Sequence, residues 1–227
     1  MTAPSQSNLE SRLRKIAEIL PTEKSVLGVP FFTRAYERTG YVPANPDKLI
    51  ESLITLAKTT DLSKQTSLDL GCGVGSWTLM AAAAGISSYG IDLNFELVRE
   101  ARKNLKYAVR KNLILEGTTC EFAEGNIYPE DLITQYEQSS SKSRIRQMPT
   151  TTRINPYSRL GITISQATIV YAFLWSENMH FLFSNFLKER SNPDALYVLP
   201  AYGYRAKYAN FPLERVNGSE MVWRRIK

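Results

Sequence analysis

The sequence predicts an α/β fold, with a mostly parallel sheet that has helices on both faces and an antiparallel hairpin at its carboxyl end. Short apolar runs that favour strands alternate with longer runs of helical periodicity from residue 46 onward, and this alternation is typical of a parallel sheet. A glycine-rich loop lies between the first strand and the helix that follows it. Near the end, Asn217-Gly218 separates two strand-like runs, which is the strongest short-range signal for a hairpin.

Two helices are predicted ahead of the sheet. Residues 8–20 carry apolar residues at helical spacing up to Pro21, so we expect a helix that packs on the domain. A basic amphipathic helix of this kind also suits contact with a membrane or a partner. The second helix is predicted over 46–58, with Asn45 as its cap and Pro46 as its first residue. That helix leads into the first strand.

The sheet is predicted from the order of the remaining runs. Strand-like runs are short and apolar, as expected for strands that are covered on both faces, and the runs between most of them have helical periodicity. Parallel strands are expected at 67–70, 87–91, 118–122, 166–173 and 195–200, the helices at 77–84, 95–111 and 177–188, and the hairpin strands at 212–216 and 220–226. These make seven strands in all.

The glycine-rich loop is the most informative segment. Residues 68–75 read LDLGCGVG, and Asp92 ends the second strand. Gly71 and Gly73 can adopt backbone angles that are closed to other residues, and they leave room for a ligand against the main chain. A carboxylate after the second strand can accept hydrogen bonds from both hydroxyls of a ribose. These residues indicate a nucleotide-like cofactor, but a dinucleotide fingerprint needs glycine where this chain has Ser76.

Residues 69–75, DLGCGVG, resemble the first motif of class I S-adenosylmethionine (SAM) dependent methyltransferases, D-x-G-x-G-x-G, and Asp92 resembles the ribose-binding acid of that family. The resemblance implies a Rossmann-like class I methyltransferase fold, with a seven-stranded sheet that ends in an antiparallel hairpin, and it implies SAM as the cofactor. Two alternatives stay open: a glycine-rich turn in an ordinary α/β protein, and an NAD site.

Further segments resemble a small group of protein-lysine methyltransferases that includes archaeal enzymes of broad substrate range and mitochondrial relatives. They are Tyr41-Val42-Pro43 ahead of the first helix of the domain, Gly125-Asn126-Ile127 after the third strand and Phe173-Leu174 after the fourth. In that group the first segment helps to close the site over SAM, and the residue after the third strand lies beside the adenine. The resemblance implies cofactor contacts from Tyr41, Asp69, Gly71, Cys72, Gly73, Gly75, Trp77, Asp92, Asn126 and Ile127.

The substrate side of the site is expected after the fourth strand, because that edge of the sheet should face the transferred methyl group. Tyr171, Trp175 and Glu177 are the candidate catalytic residues. Structural roles stay open for all three: Tyr171 belongs to a buried strand, Trp175 is either core or an aromatic wall for a cation, and Glu177 suits the start of a helix. This segment lacks the N-P-P-Y or D-P-P-Y sequence of base-amino and glutamine methyltransferases, which weakens those two classes.

One long segment, 133–163, interrupts the pattern. It is rich in polar residues and carries five basic residues against one acid, Glu137. Such a composition is not expected to fill a core, and a connection of this length is usually functional or disordered. We expect a solvated, mobile insertion or a docking arm for an acidic protein or nucleic acid. The chain then divides into a helical extension, 1–39, and a SAM-dependent methyltransferase domain, 40–227, that contains this insertion.

Composition limits the remaining classes. The chain has 227 residues, of which 43% are hydrophobic and 22% charged, and this is typical of a globular protein. Apolar stretches do not approach the ~20 residues of a membrane span, and the first twenty residues lack the apolar core of a secretory signal, so we expect a cytoplasmic protein without a membrane span. Two cysteines and one histidine indicate neither a disulfide framework nor a metal site.

Three functions follow from the sequence, in decreasing order of support. The first is methyl transfer from SAM to lysine amines of a protein substrate. The second is methylation of RNA, which the basic insertion would contact, or of a small molecule. The third is a SAM-binding protein without catalysis. The sequence does not determine the oligomeric state.

Overall fold

The computed structural model describes residues 6–20, 43–132, 134, 155–173 and 211–226, together with 177–199, of which 177–183 are described by backbone alone. Strands in this part of the chain form one seven-stranded sheet in the order β3-β2-β1-β4-β5-β7-β6. The first five are parallel, and β7 is antiparallel to both of its neighbours. The strands are β1 Thr66–Leu70, β2 Ser87–Asp92, β3 Cys120–Glu124, β4 Ile169–Ala172, β5 Leu196–Val198, β6 Leu213–Arg215 and β7 Val222–Arg225. The predicted fold class is confirmed.

The helices begin and end close to the predicted residues. Within the described ranges they are α1 Gln6–Ile19, α2 Pro46–Thr59, α3 Ser76–Ala83, α4 Phe95–Arg110, α5 Pro156–Leu160 and α6 Glu177–Arg190. The predicted cap of α2 is present, because Oδ1 of Asn45 accepts hydrogen bonds from the amides of Asp47 and Lys48. None of the helices in the described residues is both long enough and apolar enough to cross a bilayer.

Two strand predictions were wrong at their boundaries. The predicted strand 166–173 begins only at Ile169, because Gln166 ends a 3-10 turn in which its Oε1 accepts a hydrogen bond from the amide of Thr163 at 2.7 Å. The third strand was predicted over 118–122, but its pairing with β2 begins at Cys120. Gly117, with φ +78°, makes a turn just before it. Local turn chemistry thus overrides the apolar pattern in both places.

The carboxyl-terminal hairpin follows the Asn-Gly signal. Asn217 and Gly218 have φ values of 50° and 70°, as both central residues of a type I′ turn require. The amide of Ser219 closes this turn on the carbonyl of Val216 at 2.9 Å. The twist of such a turn matches the twist of two antiparallel strands, so β7 returns beside β6 and pairs with β5.

The helix α1 packs on the domain, as expected. Leu9, Leu13 and Ile16 form its buried face and belong to the same cluster as the inner residues of α2 and α3. The guanidinium of Arg12 donates to the carbonyl of Ala83 at 3.2 Å, at the end of α3. Because α1 and α2 cover one face of the sheet while α5 and α6 supply buried residues to the cluster on the other, the sheet is enclosed on both sides.

The end of the predicted insertion belongs to the core, which corrects the expectation drawn from its composition. Tyr157, Leu160 and Ile162 are only 8%, 7% and 6% exposed. Their contribution was hidden because a composition averaged over 133–163 combines these apolar residues with the long polar stretch before them. Residues 133 and 135–154 lie outside the described residues, so a mobile or docking role for them stays a prediction.

Candidate functional site

The glycine-rich loop joins β1 to α3 at the carboxyl edge of the sheet. Gly71, Gly73 and Gly75 have φ values of 89°, 54° and 87°, which confirms that the loop needs backbone angles that favour glycine. The amides of Gly71 and Cys72 both donate to the carbonyl of Ile91, at 2.8 and 2.9 Å. The loop is therefore tied to the end of β2, where Asp92 lies.

Phe122 of β3 packs against this loop and against the middle of β2. A methyl group built on Gly75 would stand 2.7 Å from Cζ of Phe122, and one built on Gly90 would stand 2.7 Å from its Cδ1. Both glycines thus provide space for the same aromatic ring. The sequence marked Phe122 only as part of a strand, since nothing in the local pattern reveals which residues lie across from it.

Asp92 is held by two backbone amides. Its Oδ2 accepts a hydrogen bond from Gly73 N at 2.8 Å, and its Oδ1 accepts one from Asn94 N at 2.8 Å. Burial raises the pKa of Asp92, while these two donors act in the opposite direction. Each carboxylate oxygen keeps a second lone pair, and the residue is only half-buried, so both oxygens can still accept from the hydroxyls of a ribose.

Asp69 lies fully buried below the loop. Thr78 donates its hydroxyl to Oδ2 at 2.7 Å, whereas Oδ1 accepts no hydrogen bond from the described residues. Burial raises the pKa of Asp69 to about 7, the Thr78 hydroxyl lowers it, and the carboxylate of Asp92 raises it further. A buried acceptor without a donor is costly. This site therefore fits a positively charged ligand such as SAM, which would favour the ionised form of Asp69.

Trp77 lies in the core, and this contradicts its predicted cofactor contact. Its ring stacks on Tyr171 with the centroids 4.8 Å apart, and its indole N–H donates to Oγ of Ser67 at 2.8 Å. Only 1% of Trp77 and 3% of Tyr171 is exposed. The catalytic role expected for Tyr171 is wrong for the same reason. The predicted alternative, a core position on a buried strand, is correct for this residue.

Cys72 shapes the loop with both of its backbone groups. Its carbonyl accepts from the amide of Gly75 at 2.8 Å, and its own amide is bound to Ile91. The side chain is buried in the core, where burial raises the pKa of the thiol well above its usual range. A direct contact between the thiol and a cofactor was predicted, but the side chain faces the interior instead.

The loop after β3 contains Asn126 and Ile127. Oδ1 of Asn126 accepts from the amide of Tyr128 at 3.0 Å, and the carbonyl of Ile127 accepts from the hydroxyl of Tyr157 at 2.5 Å. Asn126 is half-buried, while Ile127 is buried. The structure thus brings Asn126 to the same edge of the sheet as Asp92, whose carbonyl accepts from the amide of Gly125 at 2.9 Å.

Several predicted residues lie outside the described residues. These include Tyr41 and Trp175, together with the side chain of Glu177, whose backbone begins α6. Their roles stay predictions.

Sequence reasoning missed three residues that hold the site together. Thr78 binds Asp69, Tyr157 binds the loop after β3, and Asn104 of α4 donates Nδ2 to the carbonyl of Val74 at 3.1 Å. A signal existed for Asn104, which is a polar residue next to the apolar face of its helix. Thr78 and Tyr157 offer no such signal, because their partners are defined only by the tertiary fold.

Comparison with known proteins agrees with this geometry. Residues 68–129 match the family described as a methyltransferase domain. The chain is 32% identical over 113 residues to an ATP synthase lysine N-methyltransferase of Caenorhabditis elegans, which is 48% of this chain and 56% of that relative. The chain thus spans about half the length of the curated relative it matches.

Solved structures with a similar arrangement include two methyltransferases. An RNA methyltransferase from Salinibacter ruber, in complex with S-adenosyl-L-homocysteine, shares 23% identity at a TM-score of 0.45, over 70% of this chain and 76% of its own. The magnesium protoporphyrin IX methyltransferase of Synechocystis, with bound SAM, shares 16% at a TM-score of 0.46, over 90% and 95%. From the family match and the loop with its two carboxylates, the chain carries a class I methyltransferase domain that uses SAM.

Proposed function

We propose that this protein transfers methyl groups from SAM to lysine side-chain amines of a protein substrate. The observation that supports it most directly is the 32% identity, over 113 residues, with a relative that is named as a lysine N-methyltransferase. The matched region of that relative is only part of its length, so the substrate class is an inference and not a finding. The cytoplasmic location inferred from the sequence is part of the same proposal.

The residues of the site have distinct tasks in this reaction. When bound, SAM supplies a methyl group on a positively charged sulfur, which an amine lone pair displaces in line. Asp92 orients the cofactor by accepting from its ribose, and Asn126 meets its adenine. Asp69 contributes a buried negative charge near the positively charged end. Covalent catalysis by the protein is not required, because alignment of the amine with the methyl group is the main demand.

The amine must also lose a proton before it can attack. Removal of water from a lysine ammonium lowers its pKa, and a nearby acceptor can take the proton. We retain Trp175 and Glu177 for this side of the site, with Trp175 as an aromatic wall and Glu177 as the acceptor. Glu177→Gln should then lower turnover with normal SAM affinity. Glu189→Gln is the matched control, because Glu189 is an exposed carboxylate on the same helix, α6.

The substrate class is tested with methyl-labelled SAM and a lysate from the source of the protein. We expect label that protease releases and that hydrolysis recovers as methyl-lysine. The variant Asp92→Ala serves as the control without cofactor binding, so label that persists with it comes from other enzymes in the lysate. Label that only nuclease releases would overturn the lysine proposal.

A second candidate function is RNA methylation, which one surface favours. Arg99, Lys103, Lys106 and Arg110 follow one another on the exposed side of α4 at helical spacing. Lys103 is paired with Glu100 at 2.8 Å, and the other three form a basic stripe that suits a phosphate backbone. RNA affinity that falls steeply with salt, and that Lys106→Glu with Arg110→Glu abolishes, would support this function. Affinity unchanged by both would remove it.

A further inference from the structure

The loop after β3 is held by side chains from two directions. The hydroxyl of Tyr157 donates to the carbonyl of Ile127, and the amide of Tyr128 donates to Oδ1 of Asn126. The carbonyl and the amide belong to the same peptide group, between residues 127 and 128. Both polar groups of this one peptide are thus engaged, one by Tyr157 and the other by Asn126.

A planar peptide transmits an orientation from one side to the other. Because the peptide bond is rigid, fixing the direction of the Ile127 carbonyl also fixes the direction of the Tyr128 N–H. That N–H determines which way Oδ1 of Asn126 points, and therefore which way its Nδ2 group points. Hydrogen bonds in such a chain also strengthen one another in a buried environment. Nδ2 is a donor, and N1 of an adenine is an acceptor.

Tyr157 is well placed to anchor this chain. It lies in α5, where Oδ1 of Asn155 caps the helix by accepting from the amide of Tyr157 at 2.9 Å. Pro156 packs so closely on Gly125 that a methyl group built on this glycine would stand 2.7 Å from its ring. Burial raises the pKa of Tyr157, so its hydroxyl stays a donor throughout the working pH range. Its bond to Ile127 is itself buried, where an unpaired carbonyl would be costly.

We propose that Tyr157 is a positioning residue for cofactor recognition: through the peptide that joins Ile127 to Tyr128, it orients the carboxamide of Asn126 so that Nδ2 donates to N1 of the adenine. The end of the insertion thus determines how selectively the site reads the base of SAM. This inference rests on the adenine role proposed for Asn126 and is independent of the lysine substrate, because its test measures cofactor binding without methyl transfer.

The test compares two ligands in calorimetric titrations. They are S-adenosyl-L-homocysteine and S-inosyl-L-homocysteine, in which a ring N–H replaces the N1 acceptor. Wild-type protein should prefer the adenosyl compound. Tyr157→Phe should lose about 5- to 30-fold in affinity for the adenosyl compound, and it should lose much less for the inosyl compound, so the preference shrinks. Asn155→Ala, which weakens the cap of α5 without a change in the core, should give a smaller loss of the same kind.

Two controls separate positioning from a general loss of structure. Tyr197→Phe removes another buried tyrosine hydroxyl, which lies 2.8 Å from Oγ of Ser191, and it should lower Tm without a change in preference. In an Asn126→Ala background, Tyr157→Phe should cost less than about twofold more, since the two residues act in one chain.

The inference is overturned if Tyr157→Phe leaves the preference between the two ligands unchanged, whatever its effect on Tm. It is overturned together with the adenine role of Asn126 if Asn126→Ala shows no loss of preference. Loss of preference in Asn126→Ala with none in Tyr157→Phe would overturn the part of Tyr157 alone. None of these outcomes bears on whether the methyl acceptor is lysine, which the labelling experiment decides separately.

Discussion

The ribose side and the adenine side of the cofactor site depend on contacts of different range. On the ribose side, the partners of the two carboxylates are close in sequence: Gly73 is 19 residues from Asp92, and Thr78 is 9 residues from Asp69. On the adenine side, Tyr157 is 30 residues from Ile127 and comes after the insertion. The first region is assembled within one strand, loop and helix unit and its neighbour, whereas the second needs a helix from a distant part of the chain.

This difference has a consequence for how each side responds to change. A substitution in the ribose side acts directly on atoms that meet the cofactor. A substitution in α5 acts through a peptide that the cofactor meets from its other side. The ribose side should therefore show large effects on affinity, and the adenine side should show moderate effects on selectivity.

The largest effect is expected for Gly75→Ala. A side chain at φ +87° is strained, and its methyl group would stand 2.7 Å from Phe122, so we expect a loss of about 2 to 5 kcal/mol in the free energy of unfolding. Chemical denaturation measures it. Gly117→Ala is the matched control, because Gly117 has φ +78° with no atom within 4 Å of the added methyl group. Equal losses in the two variants would show that the contact with Phe122 contributes nothing.

Asp92→Ala should weaken SAM binding about 100-fold, since it removes the ribose acceptor and the anchor of Gly73 N together. Calorimetric titration with SAM measures this. Asp61→Ala is the control: Oδ1 of Asp61 also accepts a backbone N–H, from Ser63 at 3.1 Å, but outside the glycine loop. A loss below tenfold in Asp92→Ala would contradict the assignment of the ribose acid.

SAM affinity should rise about tenfold between pH 6 and pH 8, because the pKa of Asp69 is about 7 and the ionised form suits a cationic ligand. The raised pKa has the opposite effect on folding: stability from Asp69 is present at low pH and is lost as the pH rises through about 7. Thr78→Val removes the donor to Oδ2 and should move the midpoint of the affinity profile to higher pH. Asp69→Asn is the control and should flatten the profile. A profile that Asp69→Asn leaves unchanged would assign the titration to another group.

The smallest effect on affinity is expected for Trp77→Phe. The loss of the bond to Ser67 and of part of the ring should lower stability by about 1 to 3 kcal/mol, but SAM affinity should stay within about twofold because the side chain lies in the core. Thermal unfolding and SAM titration on the same sample separate the two effects. A tenfold loss of affinity at unchanged stability would restore the cofactor contact that the sequence suggested for Trp77.

Elements and motif were predictable because their signals are local. The cap at Asn45, the glycines at positive φ and the Asn217-Gly218 turn all act within a few residues of their own position. The parallel order of strands and helices followed from periodicity alone. Errors arose where a local turn, at Gln166 or Gly117, ended a pattern earlier than the apolar residues suggested.

The sequence by itself determined the fold class, the glycine loop and the ribose acid, since each depends on residue types at fixed spacing. Only the tertiary structure decided that Trp77 and Tyr171 stack in the core, that Thr78 binds Asp69 and that Tyr157 reaches the loop after β3. The physical reason is that burial and hydrogen-bond partners across a sheet depend on which elements meet in space. A side chain of given type can bind a ligand or fill the interior, and the choice between the two is made by its neighbours.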